Sequence, residues 1–322
     1  MHLKLHWKPF SFRLNETLET SRGNLKEKGG WLLLIEDLKG KRGWGEVSPL
    51  DQSELAECEK ILNHLNEDVT RQELENALTI WPGALAFGIG AALAEIDELI
   101  GTKEKGGWLN APQSAILLSR NQSLKKLNDL LIKQKQSRAF PLTLKLKIGI
   151  EPQKQEEALV SEILKNLPTN ARLRLDANAG LNRFEANKWA NQLLHEPKLE
   201  WLEQPLATDD VIGLKELAQK IPIALDESLL QKPELRKSWS SWQIRRPSIE
   251  GDPRLLLKEL QQGIGYRMLS TSFETGIGLR WIHHLAALQK TGPTPTAPGL
   301  APGWCPQSPL FSRDPTLVWQ AA

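Results

Sequence analysis

The chain has two cysteines in 322 residues, Cys58 and Cys305. They are too few for a disulfide framework and lack CxxC spacing, which argues against a thiolate zinc site and favours a reducing compartment. Six histidines are scattered and none falls in an HExxH pattern, so a histidine-based zinc hydrolase is equally poorly supported. Charge of one sign is also lacking: 41 Lys and Arg against 39 Asp and Glu give +2, with no long block of either. That excludes the footprint of a protein that binds nucleic acid or an anionic membrane, and leaves a small molecule as the expected partner. The longest apolar run, residues 84–100, is interrupted by Glu95, Asp97 and Glu98, and the opening stretch MHLKLHWKPF has no apolar core of a signal peptide. A cytoplasmic protein is expected. Tyrosine is nearly missing, with Tyr266 alone against twelve tryptophans, a bias that composition does not explain.

What is present is ordinary globular usage, 40% hydrophobic and 25% charged, in a chain that suits two domains or one large α/β barrel with an addition. Strands are expected over residues 2–10, 31–36 and 43–47, and helices over about 53–66 and 84–100, which makes residues 1–105 a small α+β domain. From Ser114 onward short apolar strands alternate with amphipathic helices. Strands are read at 115–118, 142–148, 172–176, 200–203, 221–226, 242–246 and 267–272, the signature of βα units on a parallel sheet. The expected architecture is α/β, a modified TIM (β/α)7β barrel over residues 106–292 beside the α+β domain. Six prolines from Pro293 to Pro309 forbid regular structure there, and the tail 293–322 is expected to pack back on the first domain.

The barrel strands are two-faced. Leu142, Leu144, Leu146 and Ile148 alternate with Thr143, Lys145 and Lys147; Leu173 and Leu175 alternate with Arg172, Arg174 and Asp176. If apolar faces meet the outer helices, the charged faces point inside, where they are costly unless they neutralise one another or a metal. Lys147, Asp176, Glu203, Asp226 and Arg246 each fall at a strand end, with gaps of 29, 27, 23 and 20 residues, about one βα unit apiece. Such residues converge on the C-terminal face, where barrel enzymes carry their sites. Three carboxylates from neighbouring strands make an oxygen-only cage suited to Mg²⁺, with Mn²⁺ as a substitute.

These residues, as the set Lys145-Leu146-Lys147, Leu175-Asp176-Ala177-Asn178, Glu203-Gln204-Pro205 and Leu225-Asp226-Glu227-Ser228, resemble the enolase superfamily and within it the muconate-lactonising subgroup. Gly43-Trp44-Gly45-Glu46 and Ser270-Thr271-Ser272-Phe273-Glu274 extend the resemblance over most of the chain. It implies an enolase-like capping domain and barrel, Mg²⁺ held by Asp176, Glu203 and Asp226, Lys147 as the base, and Lys145 beside it as an aid to that base. It also implies substrate contacts from Ser270, Thr271, Ser272 and Asn178, and from Arg22 in a loop with Thr20 and Ser21 that closes over the site. The second lysine usual at the sixth strand end is replaced by Arg246, which does not give up its proton. A racemase with one base per face would be disabled, whereas a one-base dehydration would not, and the guanidinium could stabilise the enolate as a cation. The implied reaction is the syn dehydration of a hydroxycyclohexadiene carboxylate to an aromatic product, in quinone biosynthesis. A cycloisomerase or N-acylamino-acid racemase of the same subgroup, and a non-catalytic metal-binding barrel, remain alternatives. Poor parity around Ile244 leaves Arg245 open as the inward residue. Taken singly, Lys145 and Lys147 read as the wet face of a strand, Asp226 as a helix cap, and the 270–272 hydroxyls as plain strand-end groups.

Overall fold

The computed structural model describes residues 1–20, 23–118, 123–136 and 141–322. By internal contacts the chain divides into two compact units, one of residues 1–112, 246–265 and 269–322, the other of residues 113–245 and 266–268.

The first unit opens with β1 (His2–Thr20), β2 (Gly23–Asp37) and β3 (Arg42–Val47), followed by α1 (Gln52–Leu62), β4 (Asp68–Thr70), α2 (Arg71–Ala77) and α3 (Gly83–Ile96). The strands form an antiparallel sheet in the order β3-β2-β1-β4. β1 is longer than its alternation predicts because the pattern changes phase at Lys8-Pro9. Before it Leu3 and Leu5 pack toward α3 with Leu33, Ile35 and Val47; after it Phe10, Phe12 and Leu14 face the other way, with Leu32, Trp44, Leu310 and Val318. One strand therefore buries opposite faces along its length, and a period-2 reading stops where the phase slips. α3 is buried almost all round, and its small residues let the strand backbone approach. A Cβ at Gly45 would lie 2.0 Å from the Gly88 carbonyl oxygen, and one at Gly43 1.9 Å from that of Ala92.

The second unit carries β5 (Ile116–Leu118), α4 (Ser123–Gln136), β6 (Thr143–Lys147), α5 (Gln153–Asn166), β7 (Arg172–Asp176), α6 (Arg183–Gln192), β8 (Leu199–Glu203), α7 (Val211–Ala218), β9 (Ile223–Leu225), α8 (Glu227–Gln231), α9 (Leu235–Ser238) and β10 (Trp242–Arg245). The chain then passes through α10 (Pro247–Glu250), α11 (Pro253–Gln261), β11 (Arg267–Leu269), α12 (Gly276–Thr291) and α13 (Pro315–Ala321). β5 to β11 lie side by side in sequence order, and the pairs whose register is resolved are parallel, the seven βα strands that the alternation predicts for the barrel. On its outer face Leu144, Leu146, Leu173, Leu175, Leu202, Ile223 and Leu225 pack with helix residues such as Val160, Ile163, Trp189 and Leu214. Within the first unit, α11 and α12 pack on α3 through Phe87, Ala91, Leu256, Leu257, Trp281 and Leu285.

The proline-rich stretch is less irregular than its composition predicts. Gly299 bridges Ser270 in parallel, accepting from Thr271 N and donating to Leu269 O, a rung that needs no donor from any of the prolines. Pro315 stands in the first turn of α13, where its missing N–H costs nothing. Among the described residues no helix is long and apolar enough to cross a membrane.

Candidate active site

Pairing of β6, β7 and β8 sets Lys147 opposite Asp176 and Asp176 opposite Glu203. Glu203 in turn pairs with Ala224 on β9, and Asp226 follows two residues later on the same face. A lysine and three carboxylates thus stand at the C-terminal ends of four adjacent strands. Beneath them lie Lys145, Arg174 and Trp201, paired in the same way one step down the strands. The register follows from the outer leucines: a slip of one residue would exchange this charged layer with the hydrophobic one.

Asp176, Glu203 and Asp226 are all buried. The Lys145 ammonium lies 2.7 Å from Asp176 Oδ2 and 2.7 Å from Glu203 Oε1. Burial works against its charge, but Asp176, Glu203 and Asp226 more than offset that and raise its pKa. Glu203 is pushed up to about 7, first by burial and then by the charge of Asp176, with Lys145 opposing. Among the described residues no group of three His, Cys, Asp or Glu side chains is already gathered around an ion-sized site. The donors nevertheless fit a hard divalent cation: they are oxygen only, three in number, and carry more negative charge than the ammonium standing between two of them can balance.

Two residues organise this layer beyond the roles their motifs imply. Gln204, fully buried at φ 35°, accepts from Asp226 N (3.2 Å) and Ser228 N (3.1 Å) through Oε1. Its Nε2 donates to Ser228 Oγ (2.7 Å) and Leu206 O (3.0 Å), so one amide fixes the turn that carries Asp226. Asn178, at φ 43°, donates from Nδ2 to Asp176 Oδ2 (3.3 Å) and Glu227 Oε1 (3.1 Å). Glu227 is pushed up to about 8 by burial, then by Asp226 and Asp176. Its place directly after a strand-end aspartate was the available signal, and the helix-cap reading hid it.

The remaining expected residues lie in the first unit. Trp242 and Ile244 join Trp201, Ala224 and Met268 in the inner cluster of the sheet, and Arg246 shares their parity. Arg245, the last residue of β10, shares the parity of Gln243, whose amide donates to the Arg236 and Trp239 carbonyls, and Arg246 follows the strand at the start of α10. Arg246 Nη1 donates to Thr271 O at 2.8 Å. Two of the three late-strand hydroxyls are engaged by the protein, Ser270 Oγ with Gly299 O (3.3 Å) and Thr271 Oγ1 with Glu274 Oε2 (2.5 Å). Ser272 Oγ, fully buried, has no hydrogen-bond partner among the described residues. Arg22 and Ser21 lie outside the described residues.

The family described as enolase C-terminal domain-like matches residues 132–241. The o-succinylbenzoate synthase of Thermosynechococcus vestitus is 29% identical over 300 residues, 88% of this chain and 88% of that protein. That of an Enterobacter species is 28% identical over 305 residues, 90% of this chain and 88% of its own. The crystal structure of the o-succinylbenzoate synthase from Thermosynechococcus elongatus, complexed with Mg in its active site, matches with a TM-score of 0.80 and 26% identity, covering 99% of this chain and 100% of that one. The chain is an enolase-superfamily enzyme. Within the superfamily it resembles the o-succinylbenzoate synthases of the muconate-lactonising subgroup. A muconate lactonizing enzyme from Pseudomonas fluorescens, at TM-score 0.68 and 20% identity over 88% of this chain and 84% of that one, shares the superfamily fold.

Proposed function

We propose that this enzyme dehydrates 2-succinyl-6-hydroxy-2,4-cyclohexadiene-1-carboxylate to o-succinylbenzoate, a step of menaquinone or phylloquinone biosynthesis, with Mg²⁺ held by Asp176, Glu203 and Asp226. The observation that carries the reading is the row Lys147, Asp176, Glu203 on adjacent strands, with Asp226 next on the same face. The chemistry the bound cation supplies is charge neutralisation at the substrate carboxylate, whose enolate would otherwise be a costly dianion; a lysine base with Mg²⁺ is the superfamily's general pattern. Lys147 Nζ, as the free amine, takes the proton alpha to that carboxylate. The resulting ammonium returns a proton to the hydroxyl leaving from the same face, the C–O bond breaks, water departs and the ring becomes aromatic. One base serves both steps, which agrees with an arginine at position 246. Arg246 holds its proton and contributes positive charge toward the enolate. Ser272, the one late-strand hydroxyl not engaged by the described protein, is proposed for the substrate carboxylate, with Asn178 steadying Asp176.

The test is formation of o-succinylbenzoate by purified protein with Mg²⁺ and after chelation. Product is expected only with metal. Lys147→Ala is expected to abolish turnover, a loss of at least about 10³-fold, whereas Arg246→Lys retains measurable activity. No product from the metal-loaded wild type, or full activity in the Lys147 variant, overturns the reading.

A further inference from the structure

Trp201 lies two residues before Glu203 on β8, so both side chains share the inner face of the sheet. The indole Nε1 donates to Glu203 Oε2 at 3.2 Å, while the other carboxylate oxygen takes the Lys145 ammonium at 2.7 Å. The indole itself is held by two neighbours. It is fully buried, the Arg174 guanidinium stands 4.1 Å from its ring centre, and the Trp242 ring packs against it at 4.8 Å. Each neighbour is in turn secured, Arg174 by Glu200 at 2.7 Å and Trp242 by the edge-on ring of Tyr266 at 5.4 Å. Nε1 is therefore fixed in direction, and with it the rotation of the carboxylate it meets.

We infer that Trp201 is a positioning residue that aims the Glu203 carboxylate for a divalent cation through the Nε1–Oε2 hydrogen bond; this rests on the reading of Glu203 as a metal-holding residue. The donor chemistry is specific. An indole N–H is uncharged and donor-only, so it orients the carboxylate without cancelling its charge, and it has no lone pair with which to compete for the ion. A lysine there would neutralise Glu203, and a neutral histidine would present a second ligand. Donors placed behind a metal ligand are typically worth about 10- to 100-fold in metal affinity. The same position fills the barrel interior with the largest side chain available, so packing and orientation come from one residue. Part of the tryptophan excess over tyrosine is explained here: a phenol at this site would also accept a hydrogen bond and would carry its hydroxyl past the ring along a different line.

The experiment is Mn²⁺ binding to the full chain, read as the loss of the free-ion paramagnetic resonance signal. Trp201→Phe keeps a planar ring for Arg174 and Trp242 and deletes only the N–H donor. The expected result is a Kd for Mn²⁺ raised about tenfold or more, with the melting of the metal-free protein close to wild type. Unchanged affinity in a folded Trp201→Phe protein overturns the inference. Wild-type protein that leaves all Mn²⁺ free overturns the metal reading itself, a different result from a different sample. Should the variant not fold, the decision passes to unmutated protein with ¹⁵N-labelled tryptophan. Among its twelve indole N–H groups, one protected from solvent exchange is expected to shift when Mg²⁺ is added. No indole responding to Mg²⁺ overturns the inference.

Discussion

Gln204 shows how a side chain whose amide is bonded within the protein can shape a site. Its buried amide makes four bonds, one to Leu206 O and three to the turn after β9, two of these with the backbone N–H groups of Asp226 and Ser228. Gln204→Leu keeps the volume but leaves those buried donors without their acceptor, each costing about 1–3 kcal/mol. A loss of about 2–4 kcal/mol in denaturant unfolding and weaker Mg²⁺ binding are expected; a variant within about 0.5 kcal/mol of wild type would show that the turn holds without the clamp. At this scale the sequence was legible where chemistry leaves a charge at a strand end. Lys147, Asp176, Glu203 and Asp226 could be read because carboxylates and lysines do not enter a barrel interior without reason. Gln204 and Trp201 could not, since an amide or an indole beside a motif has many ordinary uses and only a three-dimensional bond distinguishes them. Thr271 reads as a candidate substrate contact, and its hydroxyl also bonds Glu274, a partner that sequence alone does not reveal.

Elements were legible where one face stayed in phase. β6 and β7 keep strict alternation between leucines outside and charged residues inside, and their boundaries fall within a residue or two of the reading. β1 does not, and its second half was missed because the buried face changes at Lys8-Pro9. The Gly43-Trp44-Gly45-Glu46 segment was legible as a strand, but its two glycines only as part of a resemblance. Its physical content is a close approach of β3 to α3, in which both glycines face helix carbonyl oxygens at distances no Cβ tolerates. Those atoms are backbone and cannot swing aside. Gly45→Ala therefore displaces the helix from the sheet, and a loss of about 3 kcal/mol, at the upper end of overpacking costs, is expected in thermal or denaturant unfolding. A variant that loses less than about 1 kcal/mol would mean that β3 and α3 can separate at little cost.

The chain as a whole is nearly neutral, and that balance hides a buried ionic cluster drawn from segments far apart in sequence. Glu46 accepts from the backbone N–H groups of Thr275 and Gly278, 229 and 232 residues away, and so caps the start of α12. Glu274 accepts from Ser248 Oγ, Thr271 Oγ1 and Ser272 N. Lys28, buried with them, donates to Ser48 O at 2.6 Å. No local pattern could have announced this, because Lys28, Glu46 and Glu274 come from three separate segments and a lysine on a hairpin strand reads as solvent-facing. Burial lowers the Lys28 pKa to about 8, with Glu274 and Glu46 only partly opposing. The unfolded chain thus binds more protons than the folded one between about pH 8 and the ordinary lysine value of about 10.4, so stability must rise with pH across that window. Below it the cost of keeping the ammonium buried is present in full. Lys28→Met removes the titration, so wild type is expected to gain on the variant by up to about 3 kcal/mol between pH 8 and 10.5, measured as the difference between their unfolding free energies at each pH. A difference that stays flat, or that shrinks as pH rises, would show that Lys28 is not held as a costly buried charge.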